Sequence, residues 1–427
     1  MTDAAGVVDV AVIGLGYIGL PTAAVLARAG LDVVGVDRAR ERVEAVNRGE
    51  LPFLEDGLAA VLAEQVEAGR LRARTMTPSA RNYVIAVPTP SAREGHSADL
   101  SLVEAAIGQI APRLTGGELI VLESTCPPGT TRDLAEAIIS MRPDLSLDGS
   151  GGRARVHVAH CPERVLPGRI MAEMVTNSRV IGGLTPEAAG LARDLYATFC
   201  RGDLLLTDVT TAEMAKLAEN SFRDLNIAFA NELALICDRV GVDVWELIDL
   251  ANRHPRVSIL RPGPGVGGHC IAVDPWFLVS SAPEEAQLIR TARQVNDSRP
   301  AYYVERIHRA LEGLVAPTVA VLGLTFKADV DDLRQSPALA ITEQVAARSP
   351  HARVLVAEPH ATTLPSSLAQ RANVRLTGCR QAVEQADVVV VLVSHREFAD
   401  LDPWLLQGRV VIDATGLWGH QDRHLTG

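Results

Sequence analysis

A chain of 427 residues, 47% hydrophobic and 22% charged, has the composition of an ordinary globular protein of two or three domains. Its formal net charge of −11 and pI near 5.5 argue against a general nucleic-acid or membrane-surface binder, while leaving room for a locally basic pocket that takes a small anionic substrate. Six scattered cysteines form no CxxC pair, so neither a disulfide framework nor a zinc site is expected and no metal is assigned. A reducing cytoplasm fits, with no signal peptide and no apolar run of bilayer length.

In chain order, Val7 to Ile13 reads as a buried strand, Pro21 to Ala29 as a helix ending at Gly30, and Leu31 to Val36 as a second strand ending in Asp37. This βαβ unit encloses Gly14-Leu15-Gly16-Tyr17-Ile18-Gly19. Its three glycines suit a tight turn, a close pyrophosphate approach and helix–strand packing. Asp37, 18 residues past Gly19, can accept from the ribose hydroxyls and favours NAD over NADP, although Arg38, Arg40 and Arg42 nearby could tolerate a 2′-phosphate. Further strands are expected at Tyr83 to Val87, Leu119 to Leu122, Val156 to Ala159 and Arg179 to Ile181.

From Thr211 to Val240 apolar residues recur at helical spacing (Met214, Leu217, Phe222, Leu225, Phe229, Leu233, Ile236), which predicts one long helix and a dimer seam along it. More helix is expected to about Ala251. A second, shorter alternating region has strands at Pro317 to Leu322, Val354 to Ala357, Val388 to Leu392 and Val410 to Ile412. Its first turn, Gly323-Leu324-Thr325-Phe326-Lys327, lacks the three-glycine pattern and should not bind a dinucleotide the same way. The fold expected is α/β, two doubly wound Rossmann-like domains joined by a long central helix. Residues 1–205 form the first domain, 206–312 a central helical region with dimer and catalytic-loop elements, and 313–427 the second.

The stretch Gly263-Pro264-Gly265-Val266-Gly267-Gly268-His269-Cys270 presents one thiol after a glycine-rich approach. Asp274 follows four residues later, placed to orient a base or a water. Most lone cysteines are small core residues, and Cys200 and Cys237 fit that pattern. Cys270 has neighbours unsuited to a core, and His269 or a lysine can lower its pKa, so it reads as a nucleophile. Lys216 and Asn220 share a helix face and can donate to a developing oxyanion; a solvated lysine and amide is the plainer alternative. Glu163 and Thr125 follow strand ends, where ligands sit in such sheets. Glu163 suits a general base on water or an ion pair. Arg253, His254, Arg256 and Arg261 form a basic cluster before the cysteine loop, and Lys327 and Arg334 can add donors for a phosphate.

The ordered motifs GLGYIGLPTA, VPTP, ESTCPPGTT, CPERVLPG, AEMAKLAENSFRDLNIAFANEL, NRHPR, PGPGVGGHCIAVDPWF and GLTFKADVDDLRQSPA resemble the UDP-sugar 6-dehydrogenases nearly end to end, from Val7 to about Trp418. CPERVLPG, ENSFRDLNIAFANEL and GGHCIAVDPWF carry a closer match to the bacterial branch acting on UDP-N-acetyl-D-mannosamine. The resemblance implies a four-electron oxidation of the sugar C6 alcohol to a carboxylate with two NAD. It implies Cys270 as nucleophile, Lys216 in proton transfer or oxyanion stabilisation, and Asn220, Asp274, Thr125 and Glu163 near the reacting centre or its water. It places Arg164, Val165, Arg223, His254, Arg256, Arg261, Gly267 and Lys327 on the nucleotide sugar, with one arginine of NRHPR reaching in from a neighbouring subunit. Tyr17, Ile18, Asp37, Arg42, Thr89 and Arg334 fall on the cofactor. A homodimer or higher homo-oligomer is implied.

Where the UDP-glucose branch carries a second glutamate, four residues after the one matching Glu163, this chain has Pro167, which makes glucose a poorer fit. UDP-N-acetyl-D-glucosamine and UDP-glucose are the alternative substrates. A nucleotide-sugar epimerase or dehydratase would resemble short-chain enzymes with a Tyr-x-x-x-Lys pair, and none of the five tyrosines has lysine four residues on. A non-catalytic sensor of NAD and UDP would not need Cys270, Lys216 and Asn220 together.

Overall fold

The structure, a computed structural model, describes residues 6–53, 55–91, 97–166, 168–268 and 270–418. Pro167 and His269 lie outside them. Two compact units, Met1–Glu219 and Asn220–Gly427, divide the chain within the helix Val209–Val240.

The first unit holds an eight-stranded sheet. Across it run Leu71–Arg74, Val33–Val36, Val8–Ile13, Ala80–Ile85, Leu119–Leu122, His157–His160, Arg179–Gly183 and Leu204–Asp208. The first six are parallel in the order 3-2-1-4-5-6 of a dinucleotide-binding sheet. Arg179–Gly183 then pairs antiparallel with His157–His160, and Leu204–Asp208 parallel with Arg179–Gly183. Strands such as Val33–Val36 and Leu119–Leu122 are buried on both faces, which explains their unbroken aliphatic sequence. The sequence reading missed two strands here. Leu71–Arg74 alternates leucine and alanine with half-buried arginines, and Leu204–Asp208 is an edge strand whose apolar run is only three leucines long, with Leu205 and Leu206 exposed.

The second unit carries a five-stranded parallel sheet ordered Val374–Leu376, Arg353–Ala357, Thr318–Leu322, Val388–Val391, Val410–Asp413. Its first turn repeats that of the first sheet. Gly323 N–H donates to the Ala357 carbonyl at 2.9 Å, as Gly14 N–H does to Val36 at 2.7 Å. Glu358 accepts from Leu324 N–H at 2.7 Å, as Asp37 does from Leu15 N–H at 3.0 Å. Where the first turn has Gly16, with nothing within 4 Å of a would-be Cβ, the second has buried Thr325, whose hydroxyl donates to the Lys327 carbonyl. That filled turn gives a physical reason for the two halves to hold different ligands.

The central helix runs Val209–Val240, longer than the predicted span by two residues at its start, and Val244–Ala251 follows. A further long helix, Gln287–Leu311, packs with it through buried polar groups. Of the apolar residues that defined the helical periodicity, only Leu217 is fully buried. Phe222, Phe229 and Ile236, spaced seven residues apart, are 71%, 50% and 49% exposed, while the covered face beyond Asn220 presents Asp224, Ala228, Asn231 and Ala234. No helix among the described residues is long and apolar enough to cross a membrane.

Candidate active site

The predicted cofactor residues of the first unit gather at the carboxyl ends of its parallel strands, where the order reverses between Val8–Ile13 and Ala80–Ile85. Gly14 adopts φ +95°, and a Cβ there would lie 2.6 Å from the Ala86 carbonyl oxygen. A Cβ on Gly19 would come within 1.9 Å of the Gly14 carbonyl oxygen, so helix Gly19–Arg28 can approach its strand only with glycine. Gly16 alone faces open space. Two glycines pack the turn and the third leaves its backbone clear, the arrangement a pyrophosphate needs.

Asp37 is buried. Its Oδ1 accepts from Ala39 N–H at 2.9 Å, and its Oδ2 from Leu15 N–H and from Arg42 Nη1 at 2.9 Å. Burial works to raise its pKa, but the Ala39 and Leu15 N–H groups and Arg42 outweigh it, and the carboxyl is held below its ordinary range. The structure therefore puts Arg42 on the acid itself. Tyr17 stacks on Phe53 with ring centroids 4.2 Å apart. Thr89 Oγ1 donates to the Thr125 carbonyl at 2.5 Å, joining the turns after two adjacent strands.

Glu163 is buried and paired with Arg179 at 2.9 Å, and its other oxygen accepts from Arg164 N–H at 2.7 Å. Arg179 also reaches Glu123 at 3.7 Å and lies over Tyr196, its guanidinium carbon 4.8 Å from the ring centroid. One buried cation thus faces two buried carboxylates. Burial, reinforced by Glu163, pushes the Glu123 pKa up to about 7, against the pull of Arg179 and of hydrogen bonds from Thr22 and Tyr196. Arg164 turns away to Glu219 at 2.5 Å. Val165 is half-buried beside it.

Sequence reasoning missed Glu123, Arg179 and Glu213. Glu213 sits inside the motif that supplied Lys216, but it reads there as one more helix-surface acid. In the fold it is 1% exposed and accepts from Gly129 N–H at 2.6 Å, and from Thr131 N–H and Oγ1 at 2.7 and 2.6 Å. It thereby caps helix Thr130–Met141 and fixes the turn bearing Thr125. Lys216, half-buried, lies one turn before Asn220 on the same helix.

In the second unit Cys270 is exposed, whereas the other five cysteines are buried. Its carbonyl accepts from Val273 N–H at 3.0 Å and Asp274 N–H at 2.8 Å, leading into helix Asp274–Ser281. Asp274 is 3% exposed, and its Oδ2 accepts from Asn220 Nδ2 at 2.5 Å. The glycines before the thiol allow close packing. A Cβ on Gly267 would meet the Gln335 carbonyl oxygen at 2.5 Å, and one on Gly268 (φ +83°) the Phe326 ring at 2.9 Å. The cysteine approach is thus seated on the turn that carries Lys327 and Arg334. Arg334 is engaged by Asp332 at 2.6 Å.

Arg223, His254 and Arg256 are exposed. Arg261 lies over Trp245, 5.7 Å from the ring, and pairs with Asp249 at 2.5 Å. Asn252 closes the intervening loop on Ile259 through both amide groups, at 2.7 and 3.0 Å.

Residues 8–200 match the NAD binding domain of the UDP-glucose/GDP-mannose dehydrogenase family, residues 210–298 its central domain and residues 320–420 its UDP binding domain. A Ralstonia nicotianae protein named NDP-N-acetyl-D-galactosaminuronic acid dehydrogenase is 51% identical over 410 residues, 96% of each chain. Escherichia coli (strain K12) UDP-N-acetyl-D-mannosamine dehydrogenase is 48% identical over 418 residues, 96% of this chain and 99% of that one. The solved UDP-D-ManNAc dehydrogenase of Pyrococcus horikoshii superposes with a TM-score of 0.86 at 40% identity, over 96% of each chain. A glycine turn built for a pyrophosphate and matches to all three domains of one family lead to the same conclusion: the chain belongs to the UDP-glucose/GDP-mannose dehydrogenase family and is an NAD-dependent UDP-sugar dehydrogenase.

Proposed function

We propose that the enzyme oxidises UDP-N-acetyl-D-mannosamine at C6 to the uronate through a covalent cysteine intermediate. The observation that carries this reading is the exposed Cys270 beside a buried Asp274 that is itself bonded to Asn220. Gly14, Gly16, Gly19 and Asp37 would hold NAD, with Tyr17, Ile18, Arg42, Thr89 and Arg334 contributing. NAD supplies the hydride acceptor, two molecules per sugar, and the balance is alcohol plus two NAD⁺ plus water giving carboxylate, two NADH and three protons.

The protein's own part is to capture the aldehyde. The Cys270 thiolate adds to its carbon, giving a thiohemiacetal, and loss of a second hydride leaves a thioester. Water then breaks the C–S bond and frees the thiolate with the acid. Asn220 has two amide hydrogens. One is spent on Asp274, which orients the other; that amide hydrogen and the Lys216 ammonium stabilise the oxygen that gains charge. Glu163, held by Arg179, and Thr125 serve the hydrolytic water. Arg164, Val165, Arg223, His254, Arg256, Arg261, Gly267 and Lys327 bind the nucleotide sugar. The exposed stripe Phe222, Phe229 and Ile236 is the seam of a homodimer.

A second sugar, the N-acetylgalactosamine derivative, is favoured by the name of the Ralstonia relative. Incubation with NAD and, separately, the UDP-linked N-acetylmannosamine, N-acetylgalactosamine, N-acetylglucosamine and glucose tests the reading. Uronate and two NADH per sugar, fastest with N-acetylmannosamine, are expected. A faster galacto substrate would replace the assignment, and no NADH from any would remove it.

A further inference from the structure

The loop that bears Cys270 is held at both ends by one face of the central helix. Asn220, Asp224 and Asn231 fall within about 40° of one line at 3.6 residues per turn. Asn220 holds Asp274, past the cysteine. At the other end, Asn231 Oδ1 accepts from Gly263 N–H at 2.8 Å. Arg299, from helix Gln287–Leu311, donates through Nε to the carbonyl of the same Gly263 at 3.1 Å. Both backbone groups of Gly263 are therefore gripped by side chains that are 0% and 1% exposed.

These two side chains belong to a buried ladder. Asn231 Nδ2 donates to Asn296 Oδ1 at 2.8 Å, Asn296 Nδ2 to Asp224 Oδ1 at 2.7 Å, and Arg293 Nη1 to the same Asp224 oxygen at 2.6 Å. Arg299 Nη2 reaches the Tyr303 hydroxyl at 3.0 Å. Two helices could be joined more cheaply by apolar residues, because buried charges and amides cost stability unless fully paired. The segment they grip needs restraint: four of the six residues 263–268 are glycine, which has the most conformational freedom to lose.

We propose that Asn231 and Arg299 are positioning residues for the nucleophile. By fixing Gly263, seven residues before Cys270, they set the path along which the thiol is presented. This rests on the assignment of Cys270 as nucleophile. Displacing a reacting group by 1 Å can cost about a hundredfold in rate, so an anchor of this kind acts on turnover.

The test uses the full chain with Asn231→Leu, Arg299→Lys and the conservative Asn231→Asp, which keeps an acceptor for Gly263 N–H. Amide exchange over residues 263–274, the rate of Cys270 alkylation by iodoacetamide, and kcat and KM are read together. Expected for the first two variants are faster exchange, an alkylation rate changed several-fold, and kcat lower by about 10- to 100-fold with KM for NAD little moved; Asn231→Asp retains the exchange protection. Folded variants with unchanged exchange, alkylation and kcat overturn the proposal, as does a lower melting temperature alone. If the variants do not fold, the wild-type protein decides: a Gly263 amide exchanging at the free-peptide rate overturns it, and a protected one supports it. Alkylated wild-type enzyme that still makes uronate would overturn the nucleophile assignment and leave the loop anchor standing.

Discussion

Asn220 donates its amide to the buried carboxylate of Asp274 at 2.5 Å, across 54 residues of sequence. The bond ties the central helix to the first turn of the helix that follows Cys270, so it orients the amide and holds the segment just after the thiol through one contact.

Asp274→Asn removes the charge and sets an amide against an amide. We expect kcat to fall by roughly 10²-fold or more, with KM for the UDP-sugar changing far less, because the loss falls on transition-state orientation. Steady-state kinetics with both substrates varied checks this, and an equal loss in KM alone would count against it.

Cys270→Ser should abolish acid formation, lowering uronate output by about 10³-fold or more, while NAD binding measured by calorimetry stays within about twofold. Full turnover by this variant would discard the thioester. The five buried cysteines should resist alkylation in the folded protein while Cys270 reacts.

The Glu123 carboxyl, raised from 4.5 to about 7 by burial and by Glu163, binds a proton in the folded state that the unfolded chain has already released. Its contribution to stability is therefore fully present below about pH 4.5 and lost as pH rises toward 7. His160, fully buried and pulled down to about 3 by burial, has the opposite slope: its contribution is present above 6.5 and lost as pH falls. The two oppose each other between pH 4.5 and 6.5. Glu123→Gln removes only the first, so the difference in melting temperature between wild type and variant should move in the variant's favour as pH rises from 4.5 to 7. A difference independent of pH would mean that folding does not raise the Glu123 carboxyl.

Phe229→Glu places a charge in the middle of the exposed stripe. Sedimentation should show wild-type dimers or larger species and a variant shifted to monomer, with its far-UV circular dichroism unchanged. A wild-type monomer at micromolar concentration would refute the seam.

The strands with continuous aliphatic sequence were legible from residues alone, because parallel strands buried on both faces leave no polar alternation. So was the glycine turn with its acid at Asp37, since the chemistry is local and spans one βαβ unit. The exposed cysteine was legible for a related reason: glycines and a histidine make poor core neighbours.

The helix between the domains shows where such reading stops. Its length followed from its periodicity, but the face it buries did not. Four of the seven apolar residues that marked the period, Met214, Phe222, Phe229 and Ile236, are exposed, and the packed face beyond Asn220 includes Asp224, Ala228, Asn231 and Ala234. Glu123, Glu213 and Arg179 gave no signal as site residues. Each looks like an ordinary charged residue until strands and helices 16 to 101 positions away supply its partners.

Taken alone, then, the sequence determined most of the elements, the glycine turn and the one cysteine whose neighbours keep it out of a core, because each depends on neighbours along the chain. Which charges are buried, which acid keeps its proton and what holds the thiol's loop in place were decided by the tertiary structure, because desolvation and hydrogen bonding act between groups that only folding brings together.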